Sequence, residues 1–269
     1  MAIQQEHVSL QGQGLTMKKM LAVLVAAVAI AGCGTRSDLN DPSDGTSCQI
    51  NIVRHDPGGW LLTQPDVHLD FWGNWSSETV FTPTYFWSTW FNLLESDEVL
   101  SRLSEYGIHH GSMDPYFYGN NQSPTLGHSG FVTDAGATEI DDSTIVPQLQ
   151  TEIQLGLLPF PDDNSLYVVM LAPGLTTTDI VTNHWGGYHH SASYGSQKFA
   201  YAVVTFGDDG TNVTLSHETY EAATDPDNST GYYDRSSGNE VGDVCQGNNY
   251  TLDGTAVQFV WSQALCSCQ

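Results

Sequence analysis

The segment with the clearest capacity for chemistry is His217-Glu218-Thr219-Tyr220-Glu221. Residues four apart on a helix share one face, so a helix here would place His217 beside Glu221, where both can bind one metal ion. Glu218 would point beside that ion, where its carboxylate can take a proton from a water molecule that the ion has made more acidic. The segment therefore predicts a metal site with His217 and Glu221 as ligands and Glu218 as the catalytic general base.

The spacing is that of the His-Glu-x-x-His helix of zinc peptidases, with glutamate in place of the second histidine. Carboxylate oxygen is a proper zinc ligand, so the exchange keeps a Zn²⁺ site feasible and shifts it towards harder metals, of which Ca²⁺ is one. A short motif of this kind also arises by chance. The competing interpretation is that Glu218 and Glu221 are solvated helix charges and that His217 is a hydrogen-bonded surface residue.

A metal site needs a third ligand, and the sequence offers several candidates. Asp225 stands eight residues after the motif histidine and shares its face if the helix continues that far. Glu240 and Asp243 follow in a segment that ends at a cysteine, where a disulfide would hold them in place. Upstream, Tyr188-His189-His190 lies in a glycine-rich stretch predicted to be a loop. The sequence does not choose between these sources.

The elements that would position these residues follow from hydrophobic periodicity and from turn residues. Helices are predicted at 82–107, at 143–158 and at 211–224, the last ended by Asp225-Pro226 because proline disfavours helical geometry in the residue before it. Strands are predicted at 67–71, 166–171, 199–204 and around 256–261, with a turn at 207–210 and with turns and one or two strands between 108 and 143. This order predicts an α/β (α+β) fold, a single layered domain with a mixed sheet and a zincin-like active-site helix near the C-terminal third.

The N-terminal residues have the pattern of a bacterial lipoprotein signal peptide. Two lysines follow Met17, and an apolar run too short to span a bilayer as a helix ends at Gly32-Cys33. This pattern predicts a signal peptide at 1–32 with its true start at Met17, a lipidated flexible tether at 33–47 and one globular domain at 48–269. The protein is therefore expected to be exported and lipid-anchored to the bacterial cell envelope, at the outer membrane or the cell surface, through Cys33.

The composition limits the partners. The chain has 7 Lys and Arg against 31 Asp and Glu, which gives a formal net charge of −24. This charge repels phosphate backbones and anionic membrane surfaces, so nucleic-acid binding is excluded and contact with a membrane has to come from the lipid alone. The expected partners are an extracellular or envelope protein or peptide, or a wall polymer.

Four cysteines remain once Cys33 is assigned to lipid, and an even set in an oxidising compartment predicts two disulfides. The sequence leaves open which of the three possible pairings forms. A metal site at the Cys-x-Cys pair near the C-terminus is the alternative. These four cysteines are Cys48, Cys245, Cys266 and Cys268.

Short segments between about residues 60 and 265 resemble Exordium-like, phosphate-induced proteins in their order along the chain. The segments are 67–75, 166–169, 187–190, 201–204 and 216–218, and residues 216–226 and 240–245 resemble the bacterial branch of that group. The resemblance implies an exported, wall-side or extracellular protein and does not imply peptidase activity. Two functions are therefore expected: a metal-dependent hydrolase of the zinc-peptidase type, or a non-enzymatic surface protein in which any ion is structural.

Overall fold

The computed structural model describes residues 48–73, 75, 82–113, 139–207 and 210–269, all of which fall in one structural unit, Ser47–Gln269. The predicted signal peptide and tether at 1–47 lie outside the described residues. So do residues 208 and 209 of a predicted turn and most of the segment where one or two strands were expected between 108 and 143. Among the described residues, no helix is both long enough and apolar enough to cross a bilayer.

The described residues form four α-helices, three short 3-10 helices and thirteen strands. The α-helices are α1 (Pro83–Glu95), α2 (Ile145–Gln154), α3 (Thr178–Asn183) and α4 (Thr211–Thr224). The 3-10 helices span Leu100–Tyr106, Asp142–Thr144 and Asp243–Cys245. The strands are β1 (Ile52–Arg54), β2 (Asp66–Trp72), β3 (Ser112–Met113), β4 (Glu139–Ile140), β5 (Ser165–Leu171), β6 (Thr176–Thr177), β7 (Gly187–Tyr194), β8 (Gln197–Thr205), β9 (Tyr232–Asp234), β10 (Asn249–Leu252), β11 (Thr255–Gln258), β12 (Trp261–Ser262) and β13 (Ser267–Cys268).

A five-stranded mixed sheet, in the order β3-β2-β5-β8-β7, forms the centre of the fold. The first four of these strands run parallel, and β7 pairs antiparallel with β8 at the edge. Both faces of the central strand β5 are buried: Leu166 packs in a core with α1 and α4, and Tyr167 packs in a second core with α2 and α3. The predicted mixture of helices and strands around a mixed sheet is confirmed, and the continuous apolar run at 166–171 reflects this burial on both faces.

The predicted helices are right in position but differ in length. The Thr82 side chain caps α1 as expected, yet this helix ends at Glu95 because Asp97 adopts a left-handed φ of 59°. A separate 3-10 helix then runs to the predicted stop at Gly107, whose φ is 82°. The second helix is shorter than predicted, since Gly156 is also left-handed just beyond it. Only the 211–224 helix has the predicted bounds.

Two disulfides link the cysteines as Cys48–Cys266 and Cys245–Cys268. The prediction of two disulfides is confirmed, and the alternative of a metal site at the Cys-x-Cys pair is wrong because each of its thiols is bonded elsewhere. The second bridge ties the 3-10 helix at Asp243–Cys245 to strand β13 near the C-terminus. It therefore restrains a segment that carries two of the predicted metal ligands.

A buried pair of carboxyl groups joins α2 to the sheet. Glu152 has 0% exposure, and one of its oxygens accepts a hydrogen bond from Gln148 Nε2 at 2.8 Å. Asp70, also buried, accepts from Trp72 Nε1 at 2.6 Å. Burial first, and then the neighbouring Asp70, raise the pKa of Glu152 to about 9. Glu152 therefore keeps its proton at neutral pH.

This pair predicts that stability falls as the pH rises. Unfolded Glu152 ionises near pH 4.5, whereas the folded form holds its proton to about pH 9, so between these values the folded state binds more protons and alkali favours unfolding. The Glu152→Gln variant keeps the shape of the side chain and a hydrogen-bond donor. Its free energy of unfolding at pH 8 should exceed that of the wild type by on the order of 1 to 3 kcal/mol. Urea unfolding at pH 5 and pH 8 measures this gain. An equal gain in stability at both pH values, or no gain, would contradict this prediction. The control is Glu139→Gln, which changes an exposed glutamate.

Candidate metal site

Helix α4 carries the motif and is packed from several sides. Eleven of its fourteen residues are buried, so it lies inside the protein and not along its surface. The side chains of Glu218 and Glu221 are only 4% and 5% exposed. The interpretation of these two glutamates as solvated helix charges is therefore wrong, and their burial requires a compensating positive charge or a proton.

His217 and Glu221 lie next to each other on α4, with His217 Nε2 at 3.1 Å from Glu221 Oε2. The other ring nitrogen, Nδ1, faces the Gln258 amide, at 3.0 Å from its Nε2 and 3.3 Å from its Oε1, and the same Nε2 donates to the Gly242 carbonyl at 2.8 Å. In the tautomer with the proton on Nδ1, Nδ1 donates to Gln258 Oε1 and the lone pair of Nε2 points towards Glu221. Metal-binding histidines are commonly oriented in this way through their second nitrogen. No sequence motif marked Gln258, which comes from strand β11 forty-one residues away.

The predicted downstream segment does reach α4. The Asp243 backbone N–H donates to Glu221 Oε1 at 2.8 Å, and Asp243 Oδ1 lies 3.8 Å from His217 Nε2. The approach is close because residue 242 is glycine: a Cβ there would lie 2.8 Å from Glu221 Oε1 and 3.0 Å from His217 Nδ1. Gly242 and the disulfide at Cys245 therefore hold the segment directly against the face of α4 that carries His217 and Glu221.

We expect the Gly242→Ala variant to weaken metal binding while the protein stays folded. The φ of Gly242 is −78°, which alanine adopts freely, so the only change is the steric contact of its Cβ with His217 and Glu221. Mutations that disturb the groups orienting a metal ligand typically lower metal affinity about 10- to 100-fold. Competition against a zinc-sensitive dye measures the loss. Gly207→Ala is the control, since a Cβ there meets no atom within 4 Å, and equal zinc affinities in the two variants would contradict this account.

His189 reaches the site from the edge strand β7. The sequence predicted a loop here, which is wrong, since Gly187–Tyr194 is a strand paired with β8. The His189 side chain is buried, with Nδ1 at 3.4 Å from Glu218 Oε2 and 3.8 Å from Glu221 Oε2. Its Nε2 lies 3.6 Å from Glu240 Oε1. His189 was recognised only as part of one alternative ligand segment, because adjacent histidines in a predicted loop do not reveal which one turns inward.

The structure does not bring the carboxylate of Asp225 to the site. Helix α4 ends at Thr224, and Asp225 has a non-helical φ of −146°, so its side chain leaves the helix face. Its Oδ1 instead accepts hydrogen bonds from three backbone amides of the following turn, those of Ser229, Thr230 and Gly231. The Asp225 side chain therefore closes this turn, and only its backbone carbonyl, 3.2 Å from His189 Nε2, faces the site.

Two groups of three donors fall close enough to hold an ion. The first group consists of one donor atom from each of three residues, all within 4.8 Å of one another: His217, Glu218 and Glu221. The same holds for His189, Glu221 and Glu240. Glu221 belongs to both groups, so the described residues form one continuous cluster of imidazoles and carboxylates and not two separate sites.

The cluster holds protons that an ion would have to displace. Burial acts to lower the pKa of His189 and His217, but the surrounding carboxylates outweigh it and raise the pKa of each to about 10. Burial raises the pKa of Glu218, and it takes the pKa of Glu240 well above its ordinary value. At Glu221 burial also acts upwards, yet His217 and His189 hold the pKa below its usual range. Metal binding is therefore expected to release protons.

The cluster lies in a groove with a cavity of about 470 Å³. The first residues of β7 form one wall of this groove, and the indole of Trp185, 50% exposed, stands at its rim. The described lining residues include four carboxylates but no lysine or arginine. The groove is therefore open to solvent and suited to neutral or cationic groups.

Comparison with known proteins identifies no relative: no family model, no curated protein and no solved structure matches the chain.

Proposed function

We propose that this chain is an exported, lipid-anchored, metal-dependent hydrolase, a zinc peptidase that acts on extracellular or envelope protein through a zincin-like helix α4. The observation that carries the proposal is the pairing of part-buried His217 with buried Glu221, whose Nε2 and Oε2 lie 3.1 Å apart in the lining of an open groove, with Glu218 beside them. His217 and Glu221 are the proposed ligands, and Glu218 is the proposed base.

The spacing of the donors fits a shared ion. Two ligand atoms that each lie ~2.0–2.1 Å from zinc in tetrahedral geometry are about 3.4 Å apart. The separation of 3.1 Å between His217 Nε2 and Glu221 Oε2 is close to this value, and Asp243 Oδ1 lies 3.8 Å from the same nitrogen. Asp243 is therefore a candidate third ligand on the side of His217, whereas Glu240 groups with Glu221 and His189.

The donor types favour zinc over calcium. Calcium takes oxygen ligands almost exclusively, whereas zinc binds imidazole nitrogen together with carboxylate oxygen. His217 and His189 both present nitrogens to the buried cluster, which is an unusual arrangement for a calcium site. A bound ion also supplies the positive charge that the buried carboxylates otherwise obtain from protons.

An ion held by His217 and Glu221 would supply Lewis-acid chemistry, which polarises a substrate carbonyl and makes water more acidic. Glu218 takes the proton from the attacking water and passes it to the leaving amine. His189 Nδ1, at 3.4 Å from Glu218 Oε2, orients this carboxylate. Burial raises the pKa of Glu218, which is the direction that favours proton transfer by a carboxylate.

The groove supports a peptide substrate. Strand β7 is an edge strand of the sheet, and its residues 187–190 line the groove beside the ion site. Extended peptides commonly bind by adding to an exposed sheet edge. The lack of lysine and arginine among the described lining residues argues against substrates recognised through phosphate or carboxylate groups.

The proposed location rests on the lipoprotein pattern that ends at Cys33. The two disulfides of the folded domain support it, because such bonds form and persist in oxidising compartments outside the cytoplasm. Labelling with radioactive palmitate tests the lipid anchor. We expect the wild type to incorporate the label and Cys33→Ala not to, and labelling of both proteins, or of neither, would contradict the anchor.

A second candidate follows from the resemblance to Exordium-like proteins, which remains a prediction. In this reading the protein is a non-enzymatic surface protein that binds wall polymer or a partner, and the ion is structural. The half-exposed indole of Trp185 at the groove rim favours it, since exposed aromatic rings provide apolar surfaces for sugar rings.

The proposed hydrolase is tested by cleavage of an unfolded protein such as reduced casein. We expect hydrolysis that a chelator abolishes and that added Zn²⁺ restores. Hydrolysis that continues after complete metal removal, or no hydrolysis by zinc-loaded protein, would contradict the proposal and favour the surface-protein alternative.

A further inference from the structure

Glu221 stands between two sets of donors. On one side are His217 and Glu218 of its own helix, and on the other are His189 from β7 and Glu240 from the segment before the Cys245–Cys268 bridge. Each set, taken with Glu221, has its donor atoms within 4.8 Å of one another. Glu221 Oε2 lies 3.1 Å from His217 Nε2 and 3.8 Å from His189 Nδ1, so this carboxylate faces both sets and could bridge two neighbouring metal ions.

Glu240 provides a separate indication that the second set of donors binds an ion. Its Oε1 is buried and has no hydrogen-bond partner among the described residues, although His189 Nε2 lies only 3.6 Å away. A buried polar atom without a hydrogen-bond partner is rare in a folded protein and needs an explanation, such as a bound ion. The separation of 3.6 Å is longer than a hydrogen bond but close to the ~3.4 Å expected between two ligands of one ion.

His189 can serve both sets at once through its two nitrogens. Its Nδ1 lies 3.4 Å from Glu218 Oε2, and its Nε2 lies 3.6 Å from Glu240 Oε1. In the structure Nε2 donates a hydrogen bond to the backbone carbonyl of Asp225 at 3.2 Å, so an ion bound at Nε2 would take the place of that proton. A histidine whose one nitrogen binds metal while the other donates to a carboxylate is a common arrangement in metal sites.

The charge of the cluster also exceeds what one ion offsets. Four carboxylates face the site, those of Glu218, Glu221, Glu240 and Asp243, and three of them are largely buried. One divalent ion balances two of these negative charges. A second ion balances the other two, whereas a single ion leaves carboxylates that have to be protonated or paired with protonated histidine.

We infer that the site holds two divalent ions bridged by Glu221, one bound by His217 and the other by His189 and Glu240. This inference rests on the proposed function, since it adds a second ion to the same site. Paired ions about 3.5–4 Å apart can hold the attacking water and the substrate oxygen on opposite sides. Glu240 and His189 thereby become ligands, and Glu218 keeps its position as base.

Zinc bound per chain separates the possible outcomes. The full chain is dialysed to equilibrium against buffered Zn²⁺, and metal and protein are measured in the same sample. We expect two ions per chain in the wild type and one in Glu240→Gln, with two retained in the exposed control Glu139→Gln. One ion in the wild type overturns this inference and leaves the proposed function standing, whereas none overturns both.

A measurement on the wild type alone guards against a Glu240→Gln variant that fails to fold. With Mn²⁺ as the probe, two ions bridged by a carboxylate give an exchange-coupled electron paramagnetic resonance spectrum, and an isolated ion gives a six-line spectrum. We expect the coupled spectrum at saturation. An uncoupled spectrum, or a Glu240→Gln variant that is folded and still binds two ions, overturns the assignment of the second site.

Discussion

Glu221→Gln is expected to abolish metal binding. Glu221 is the only residue common to both donor groups, so its replacement by a neutral amide removes a ligand from every ion that the described residues can hold. The amide keeps the size of the side chain and can still accept the hydrogen bond from the Asp243 backbone. Loss of a supporting residue costs about 10- to 100-fold in metal affinity, and loss of a shared ligand should exceed this.

Metal content after equilibrium dialysis measures the effect. The variant should retain close to no zinc, with a circular dichroism spectrum like that of the wild type. His109→Ala serves as a control, because His109 is an exposed histidine outside the cluster and its loss should leave zinc binding unchanged. Equal zinc in wild type and Glu221→Gln would show that this carboxylate is not a ligand.

Glu218→Gln is expected to stop hydrolysis while metal stays bound. It lies three residues before Glu221 on the same helix and is equally buried, so the two variants make a matched pair with opposite expected effects on metal binding. General-base catalysis typically contributes about 10²- to 10⁴-fold to a rate, and the amide cannot accept the proton. The measurement is the initial rate of casein cleavage by zinc-loaded protein, with bound zinc determined in the same preparation.

Each other result for Glu218→Gln has a clear meaning. Loss of zinc together with activity would make Glu218 a ligand and not the base. Unchanged cleavage with zinc retained would remove its catalytic role. If neither protein cleaves any substrate and zinc binding is also unchanged, the non-enzymatic surface protein with a structural ion becomes the better account.

The parts of the fold that the sequence predicted well are those fixed by local rules. Helix α4 has its predicted bounds because Asp225-Pro226 ends it, and the spacing of His217 and Glu221 follows from helix geometry alone. The central strand β5 was recognisable from its unbroken apolar run. The predicted helix at 82–107 was too long because hydrophobic periodicity does not reveal a left-handed residue such as Asp97.

The parts of the site that the sequence left open depend on contacts distant along the chain. His189 enters the cluster because β7 is an edge strand beside α4, and Gln258 because β11 packs on that helix. Neither residue carries a local signal of its role. Asp225 illustrates the reverse case: its spacing suggested a ligand, but the helix ends one residue earlier and its carboxylate turns to the following backbone amides.

The position of zinc in a crystal tests directly whether His217 and Glu221 bind the same ion. Anomalous difference maps from zinc-soaked crystals, collected on either side of the zinc absorption edge, locate the metal without reference to activity. We expect a peak about 2.0–2.2 Å from His217 Nε2 and from a Glu221 oxygen, inside the groove. Fully ordered His217 and Glu221 side chains with no anomalous peak between them would contradict it.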